Sequence, residues 1–307
     1  MDSIFMKKFL PLLLILFLFP AAPVAGEGLL VVQSLPIKPY NQALEGLRSV
    51  CTGKTTTLLV SARTEAEILK KVRKINPDLI VAIGMDALTK VAALEERQRI
   101  TIPVIYLMVP NPQSLVEDNA NITGVSMNIE PGAQLSALQQ ILPQTRKIGI
   151  VFDPDKTGRF VRKAHSAATA AGIELLTKTV HNSREAAAAL VGMKGKIDLL
   201  WLLPDTTVVT PTTIDLLLLS AIEQKIPVFT FSEKSAEKGA LLALEIDAHE
   251  AGRQAGEMAN RILAGKDVRS IGKTDALGGN LTVNLITARK LEITLQNDAL
   301  KQANVIK

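Results

Sequence analysis

The sequence predicts an α/β protein of two similar lobes, each built on a parallel β-sheet covered by helices. Short apolar runs of strand length alternate with longer segments of helical period, which is the pattern of successive βαβ units. This series occurs twice along 307 residues, a length that suits two domains of about 100–200 residues each. The short runs are almost continuously apolar, as expected for parallel strands buried on both faces.

The first series predicts four strands separated by three helices. In order, the predicted strands are GLLVVQS, TTLLVSA, DLIVAIG and IPVIYLM. The segments between them carry apolar residues at helical spacing and are NQALEGLRSV, TEAEILKKVRKI and DALTKVAALEERQ. A helix between each pair of strands lets consecutive strands run in the same direction, so this part of the chain predicts a parallel sheet.

The second series repeats the same order after the segment NITGVSMN, which is interpreted as the connection between the lobes. Its predicted strands are RKIGIVFD, GIELLTKTV, IDLLWLLP and IPVFTFS. Its predicted helices are FVRKAHSAATAAG, SREAAAALVGM and TTIDLLLLSAIEQK. The phrase Ile-Pro-Val follows a helix in both series, in TIPVIY and in KIPVFT, which supports a correspondence between them.

The last part of the chain predicts a strand, GALLALEI, and then a long helix, DAHEAGRQAGEMANRILAG. Small and apolar residues recur at helical spacing in this helix, and Gly252 and Gly256 permit another backbone to approach closely. Gly265 is a typical stop signal for the helix. A final strand, NLTVNL, and the segment ITARKLEI follow, and residues 295–307 are expected to be a frayed polar extension.

Residues 1–26 have the pattern of a secretory signal peptide. Lys7 and Lys8 precede the apolar run FLPLLLILFLF, and small residues follow it in PAAPVAG, so cleavage is expected near Ala25 or Gly26. The apolar run is shorter than the roughly 20 residues that a membrane span needs. No cysteine is present there to carry a lipid, and a periplasmic protein is therefore the prediction, with an uncleaved membrane anchor as the less favoured alternative.

The charge balance argues against nucleic acid as a partner. Removal of the signal peptide takes away two lysines and one aspartate, which lowers the net charge from +5 to about +4. The remaining basic residues are scattered along the chain, whereas nucleic-acid binding needs a concentrated basic face. Cys51 is the only cysteine, so stability must come from burial and not from an intrachain disulfide.

The stretch CTGKTTT contains Gly53-Lys54-Thr55 and resembles part of a phosphate-binding loop. The full pattern requires a further glycine at position 48, and that residue is Arg48, while Gly46 is out of register. The loop should also follow a strand, whereas the preceding residues predict a helix. The stretch is therefore interpreted as a polar loop that leads into a strand, and no nucleotide or other cofactor is predicted.

No constellation for catalysis or metal binding is apparent. The three histidines, His165, His181 and His249, are far apart in the sequence, and neither an HExxH pattern nor a cysteine pair is present. A G-x-S-x-G nucleophile motif is also absent. We therefore predict a protein that is not an enzyme and holds no metal.

Seven ordered segments resemble the substrate-binding proteins of ABC transporters of the tryptophan/tyrosine-uptake type: PDLIVAIG, NITGVS, ILPQTRKIGIVFDP, LPDTTVV, KIPVF, EKGALLAL and DAHEAGRQAGEMANRILAG. The resemblance extends from about residue 28 to about residue 292. It implies a type I periplasmic-binding-protein fold of two Rossmann-like lobes, joined by a three-segment hinge, with the ligand enclosed between them. The expected lobes are residues 27–124 with 247–268, and residues 125–246 with 269–307.

The resemblance also implies a role. The protein is expected to act as a monomer that delivers a small, amino-acid-like ligand to a membrane permease, whose cytoplasmic ATPase subunits hydrolyse the ATP. A different use of the same fold stays open, namely a periplasmic subunit that reports ligand occupancy to a membrane signalling receptor. A periplasmic enzyme on a two-lobed scaffold is the third reading, although no catalytic residues support it.

Ligands of open α/β sheets bind beyond the carboxyl ends of the strands, so residues at those ends are the candidates for ligand contact. The candidates are Ser34, Met85, Asp86, Val109, Asn111, Asp153, Asp205, Thr206, Ser232 and Asp247. Asp205 is the first choice, because the resembling family has an aspartate after this proline and a carboxylate can pair with a ligand ammonium. Its alternative role is helix capping, which Thr206 or Thr207 can share.

Two departures from the family pattern bear on the ligand. Met85-Asp86 replaces a small hydroxyl residue, and a carboxylate facing the cleft there would repel a ligand carboxylate. Helix capping is the alternative role of Asp86. Ala248-His249 stands where relatives carry aromatic residues, which removes a source of stacking and weakens the expectation of an aromatic ligand.

Overall fold

The computed structural model describes residues 28–61, 63–116 and 119–307. The predicted signal peptide lies outside the described residues. Within the described part of the chain, no helix combines the length and the apolar character needed to cross a membrane.

One sheet has six strands, all parallel, in the order β11-β5-β4-β3-β1-β2. Its strands are β1 (Leu29–Gln33), β2 (Thr55–Leu59), β3 (Leu79–Ile83), β4 (Val104–Val109), β5 (Ile122–Ile129) and β11 (Thr274–Ala276). The helices of this part are α1 (Lys38–Val50), α2 (Glu65–Ile75), α3 (Met85–Glu96), α4 (Gln113–Val116) and α10 (Ala248–Leu263). Apolar side chains from both faces of this sheet are buried against these helices.

The other sheet has seven strands in the order β13-β12-β10-β9-β8-β6-β7, and it is parallel except where β12 pairs antiparallel with β10. Its strands are β6 (Lys147–Phe152), β7 (Glu174–Thr179), β8 (Leu199–Trp201), β9 (Val228–Thr230), β10 (Leu242–Ile246), β12 (Gly279–Asn284) and β13 (Asn304–Ile306). Its helices are α5 (Pro131–Ile141), α6 (Pro154–Ala170), α7 (Ser183–Val191), α8 (Ile214–Glu223), α9 (Glu233–Glu237), α11 (Leu285–Leu291) and α12 (Asn297–Leu300). The predicted α/β class with two mostly parallel sheets is confirmed.

Two strands lie where the sequence predicts irregular chain. The segment NITGVSMN is not a bare connection but most of β5, which lies between β4 and β11. Its polar residues are buried because they have distant partners: the Thr123 hydroxyl donates to the Ile271 carbonyl at 2.8 Å, and the Ser126 hydroxyl donates to Asp275 at 2.6 Å. At the carboxyl terminus, β13 pairs with β12, so the predicted frayed extension is wrong for these last residues.

The chain crosses between the sheets three times: after β5, after β10, and between β11 and β12. The predicted lobe boundary at 124/125 falls inside β5, and the one at 268/269 falls inside a short 3-10 helix, Val268–Ser270. Strand pairing does not support these two positions, because β5 and β11 pair with each other in the six-stranded sheet. The third boundary, at residue 247, coincides with a crossing.

The stretch Gly53-Lys54-Thr55 leads from α1 into β2, whose first residue is Thr55, as the polar-loop interpretation predicts. The Lys54 carbonyl accepts a hydrogen bond from the Leu29 amide at 2.9 Å, which holds the loop beside the start of β1. A phosphate-binding loop follows a strand and opens a helix. Here the order of helix and strand is reversed.

Helices α1 and α10 cross at very short distance. A Cβ atom placed on Gly252 would lie 2.0 Å from the Ala43 carbonyl oxygen, and one on Gly46 would lie 1.9 Å from the His249 carbonyl oxygen. Glycine is therefore required on both helices at this crossing. The close approach predicted for Gly252 is confirmed, and it fixes α10 on the six-stranded sheet although β10, just before it, belongs to the other one.

Candidate ligand-binding site

A cavity of about 620 Å³ lies between the carboxyl ends of the two sheets. One wall comes from residues that follow β3 and β4, among them Met85, Pro110 and Asn111. The facing wall comes from the first turns of α6 and from the loop after β8, including Pro204 and Thr206. Residues from both sheets line the same space, which is the place where open α/β folds bind ligands.

The N-terminus of α3 opens toward this cavity and is held in place by Ser34. Gly84 precedes the helix with φ of +88° and has no side chain to cap it. The Ser34 hydroxyl takes over this task and accepts a hydrogen bond from the Ala87 amide at 2.9 Å. Ser34 itself is buried, so it positions the helix, while the amides of Met85 and Asp86 have no acceptor within the helix.

Asp86 is neither the helix cap nor a wall of the cavity. Its carboxylate forms an ion pair with Lys90, four residues further along α3, at 2.9 Å. The Lys90 ammonium also donates to the Val60 carbonyl at 3.1 Å, which holds the pair beside the end of β2. The expected repulsion of a ligand carboxylate by Asp86 is therefore not supported, and the capping alternative is wrong for Asp86, because Gly84 holds the N-cap position.

The chain turns sharply after β4. Val109 is fully buried in the core of the six-stranded sheet, so its prediction as a ligand contact is corrected. Met108 and Asn111 both adopt the left-handed region, with φ of 55° and 44°. Asn111 thereby reaches the cavity, where its Oδ1 lies 3.5 Å from the Nδ2 of Asn128.

Asp205 is a buried cross-link in the facing wall. Its side chain is 1% exposed, and its Oδ2 accepts from the Asp153 amide at 2.9 Å and from the Thr157 hydroxyl at 2.6 Å. Its Oδ1 accepts from the amides of Thr207 at 2.9 Å and Val208 at 3.2 Å. These four bonds occupy the carboxylate within a turn, and the next helix, α8, begins only at Ile214 with Thr213 at its N-cap. The helix-capping alternative is therefore not supported for Asp205, and ligand contact stays a prediction.

Asp153 completes this cross-link from the other direction. It caps α6 by accepting from the Asp155 amide at 3.0 Å, and its other oxygen accepts from the Thr207 hydroxyl at 2.6 Å. These two donors lower the pKa of Asp153, the Thr207 hydroxyl most strongly. These bonds connect the loops after β6 and β8 behind the cavity. Thr206 lies between Asp205 and Thr207, which make the bonds, and lines the cavity itself.

We expect the interactions of Asp153 to make the free energy of unfolding depend on pH in the acidic range. A carboxyl group whose pKa is lowered on folding stabilises the protein above its unfolded pKa of about 3.9, and this contribution is lost as the pH falls. Asp153→Asn should therefore be less stable than the natural protein at pH 7 but lose less stability between pH 5 and pH 3. Urea unfolding across this range measures the effect. Thr207→Val should reproduce part of it, and unchanged acid profiles in both variants would contradict the assignment.

Ser232 and Asp247 lie outside the cavity lining. The Ser232 carbonyl accepts from the Ser235 amide at 3.0 Å at the start of α9. Asp247 caps α10 and accepts from the Glu250 amide at 3.0 Å, at the crossing between the sheets. Of the ten sequence candidates, the structure brings Met85, Asn111 and Thr206 together around one cavity, with Ser34, Asp153 and Asp205 supporting them from behind.

An aromatic side chain in the cavity lining was not predicted from the sequence. Phe160 lines the cavity and packs edge to face against Trp201, with ring centroids 5.6 Å apart. Trp201 stacks in turn on Phe229 at 6.1 Å, and its indole N–H donates to the Gln134 side chain at 3.1 Å. Phe160 therefore offers a ring in the cleft although Ala248-His249 does not. The spacing of Lys156, Phe160 and Lys163 along one face of α6 was the available signal.

An ion cluster, also missed, joins the lobes at the hinge. The Lys163 ammonium on α6 lies 3.1 Å from Asp275 on β11 and 3.5 Å from Glu130. Burial acts to raise the pKa of Asp275. Hydrogen bonds with Ser126, Glu130 and Lys163 outweigh burial, so the pKa of Asp275 is lowered. Hydrogen bonding to Asp275, together with burial, raises the pKa of Glu130. The cluster thus ties the seven-stranded half of the molecule to the six-stranded half.

The fold and this cleft define a two-lobed solute-binding protein. The chain belongs to the family described as ABC transporter substrate binding protein, whose family model matches residues 52–307. It is similar to a tyrosine-binding protein of Clostridioides difficile strain R20291, with 27% identity over 238 residues that cover 75% of this chain and 67% of that protein.

Two solved structures show the same fold. One is an ABC domain in complex with L-Trp from Streptococcus pneumonia, which is 21% identical with a TM-score of 0.58 and coverage of 92% of this chain and 100% of that one. The other is the ligand-free, open form of a substrate binding protein with adhesive properties from Clostridium difficile, which is 20% identical with a TM-score of 0.70 and coverage of 92% and 99%. The predicted type I periplasmic-binding-protein fold is confirmed.

Proposed function

We propose that this protein is the extracytoplasmic binding component of an ABC importer and that it captures an amino-acid-like molecule in the cleft. The observation that carries the proposal is the cavity lined from both sheets, because a ligand there contacts both lobes at once and favours their closure. One similar protein is described as tyrosine-binding, and one similar structure is a complex with L-Trp. Both support an amino acid as the ligand class.

Each part of the cavity has a role in this proposal. The free amides of Met85 and Asp86 at the start of α3 receive a ligand carboxylate, since a helix N-terminus offers unpaired N–H groups and a positive dipole end. Asn111 and Thr206 supply hydrogen bonds from opposite walls, and Phe160 supplies apolar contact. Enclosure between the walls excludes water from these polar contacts and strengthens them.

The lobes of this proposal follow the strand pairing. One comprises residues 28–129 with 247–276, and the other comprises residues 130–246 with 279–307. The crossings between them form the hinge, where the Lys163 cluster lies. A membrane permease recognises the closed form, and cytoplasmic ATPase subunits drive transport. The predicted signal peptide places the protein outside the cytoplasm for this task.

We expect at least one compound in a panel of the twenty amino acids and small organic acids to raise the melting temperature of the purified mature protein. A ligand that binds only the folded state stabilises it by about 2.7 kcal/mol at a concentration of 100 times its Kd. Differential scanning calorimetry measures the shift. Asn111→Ala and Thr206→Ala should reduce it, whereas Thr179→Ala, on the exposed end of β7, should not.

The proposal would be contradicted if no compound in the panel raised the melting temperature. It would also be contradicted if Asn111→Ala and Thr206→Ala both left the ligand-induced shift unchanged. The importer role has its own test. A strain that lacks this chain should lose high-affinity uptake of the ligand identified by calorimetry. Unchanged uptake together with tight binding would favour the sensory use of the fold.

A further inference from the structure

The cavity wall contributed by α6 is rich in positive charge. Lys156, Arg159, Arg162 and Lys163 all line the cavity, together with Phe160. Positions 156, 160 and 163 follow one face of the helix, and positions 159 and 162 lie on the adjoining face. The wall from the other lobe is mostly uncharged, with Met85, Asn111, Gln113 and Asn128, and Asp275 is its one charged residue among the described residues of the lining.

The acidic residues of the lining do not balance these cations. Among the described residues that line the cavity, only Asp155 and Asp275 are acidic. Asp275 is already paired with Lys163 at 3.1 Å. Arg159 also has an interaction of its own within the protein. Lys156 and Arg162 then face a single carboxylate, that of Asp155, and the cavity keeps a positive surplus.

The other carboxylates near the cleft are occupied elsewhere. Asp86 is outside the cavity lining and pairs with Lys90 on α3, and all four hydrogen bonds of Asp205 go to neighbouring protein groups. The N-termini of α3 and α6 add positive dipole ends at the same cavity. A cleft lined by one sign of charge concentrates its field on the ligand. A ligand ammonium therefore finds few partners here, and a second anionic group finds several.

We infer, on the basis of the proposed binding function, that the ligand is a small organic dicarboxylate such as an acidic amino acid, and not a zwitterion with an uncharged side chain. One carboxylate meets the amides at the start of α3. The other meets Lys156 and Arg162 on α6, whose charge-assisted hydrogen bonds are stronger than those between neutral groups. Closure of the lobes brings both sites onto one molecule.

Isothermal titration of the purified mature protein with matched ligands tests the charge requirement. The pairs are glutamate with glutamine and aspartate with asparagine, with succinate, tyrosine and tryptophan alongside. We expect the acidic member of a pair to bind at least about tenfold more tightly than its amide, a difference of about 1.4 kcal/mol. Its affinity should fall as salt is raised, because salt screens the attraction in a solvent-accessible cleft.

Variants test the residues. Lys156→Gln and Arg162→Gln should each reduce the ratio of acidic to amide affinity, whereas Lys178→Gln, an exposed lysine on β7 away from the cavity, should leave the ratio unchanged. The ratio compares two ligands on the same folded protein, so a general loss of stability does not imitate the effect. An acidic preference that neither cavity variant alters would overturn the assignment to α6.

The outcomes separate this inference from the function on which it rests. Equal or tighter binding of glutamine, asparagine, tyrosine or tryptophan would overturn the charge requirement and leave the proposed amino-acid binding intact. No binding by any of the seven compounds, with none in the wider panel, would overturn both.

Discussion

Replacement of Asp205 by asparagine should lower the free energy of unfolding by about 3 kcal/mol, because it disrupts a buried carboxylate that accepts four hydrogen bonds. An asparagine keeps one acceptor oxygen but turns an NH2 group toward donors such as the Asp153 amide and the Thr157 hydroxyl. Those donors then lose their acceptor in a buried place. Urea unfolding of the ligand-free protein at pH 7 measures the change.

Thr206→Ala is the matched control, since this neighbouring side chain faces the cavity and should change the stability by less than about 0.5 kcal/mol. Asp205→Asn should therefore reduce stability, whereas Thr206→Ala should reduce ligand binding. The opposite division, with a stable Asp205→Asn protein that no longer binds, would restore Asp205 as the ammonium partner that the sequence suggests.

Gly252→Ala should lower the free energy of unfolding by about 3 kcal/mol, at the upper end of overpacking effects. The added Cβ would lie 2.0 Å from the carbonyl oxygen of Ala43. Both partners are helix backbone, so no flexible side chain can move aside, and α1 and α10 must separate. Thermal and urea unfolding report the loss.

Gly132→Ala is the control for replacing a helical glycine by alanine where no close contact results. Gly132 lies in α5, and an added Cβ there has no heavy atom within 4 Å. Alanine should stabilise this helix by up to about 1 kcal/mol through its better helix propensity. A Gly252→Ala protein as stable as the natural one would show that α1 and α10 do not approach as closely as described.

The local pattern of the sequence was enough for most of the fold. Strands such as LLVVQ and LIVAI are continuous apolar runs, and the helices between them have their own period, so each element is recognisable without its neighbours. The segment β5 was missed because its buried Thr123 and Ser126 look like loop residues. Their hydroxyls are satisfied by residues about 150 positions away, and no local pattern reveals such partners.

The candidate site, like the fold, was predicted only in part from the sequence. The sequence predicts Met85, Asn111 and Thr206 beyond strand ends, and all three line the cavity, because the carboxyl ends of parallel strands meet at one edge. It could not decide which carboxylates remain available. Asp205 is the first choice in the sequence and Asp86 a further candidate, yet Asp86 pairs along its own helix and Asp205 is buried among donors from two loops.

By itself, therefore, the sequence determined the order of the elements, the doubled α/β architecture and the edge at which a ligand is expected, since each depends on local periodicity and on the rule that parallel strands share an edge. The tertiary structure alone decided where the chain crosses between sheets and which charges face the cleft. Both depend on partners distant in sequence, such as Lys163 with Asp275, whose attraction exists only once α6 and β11 are packed together.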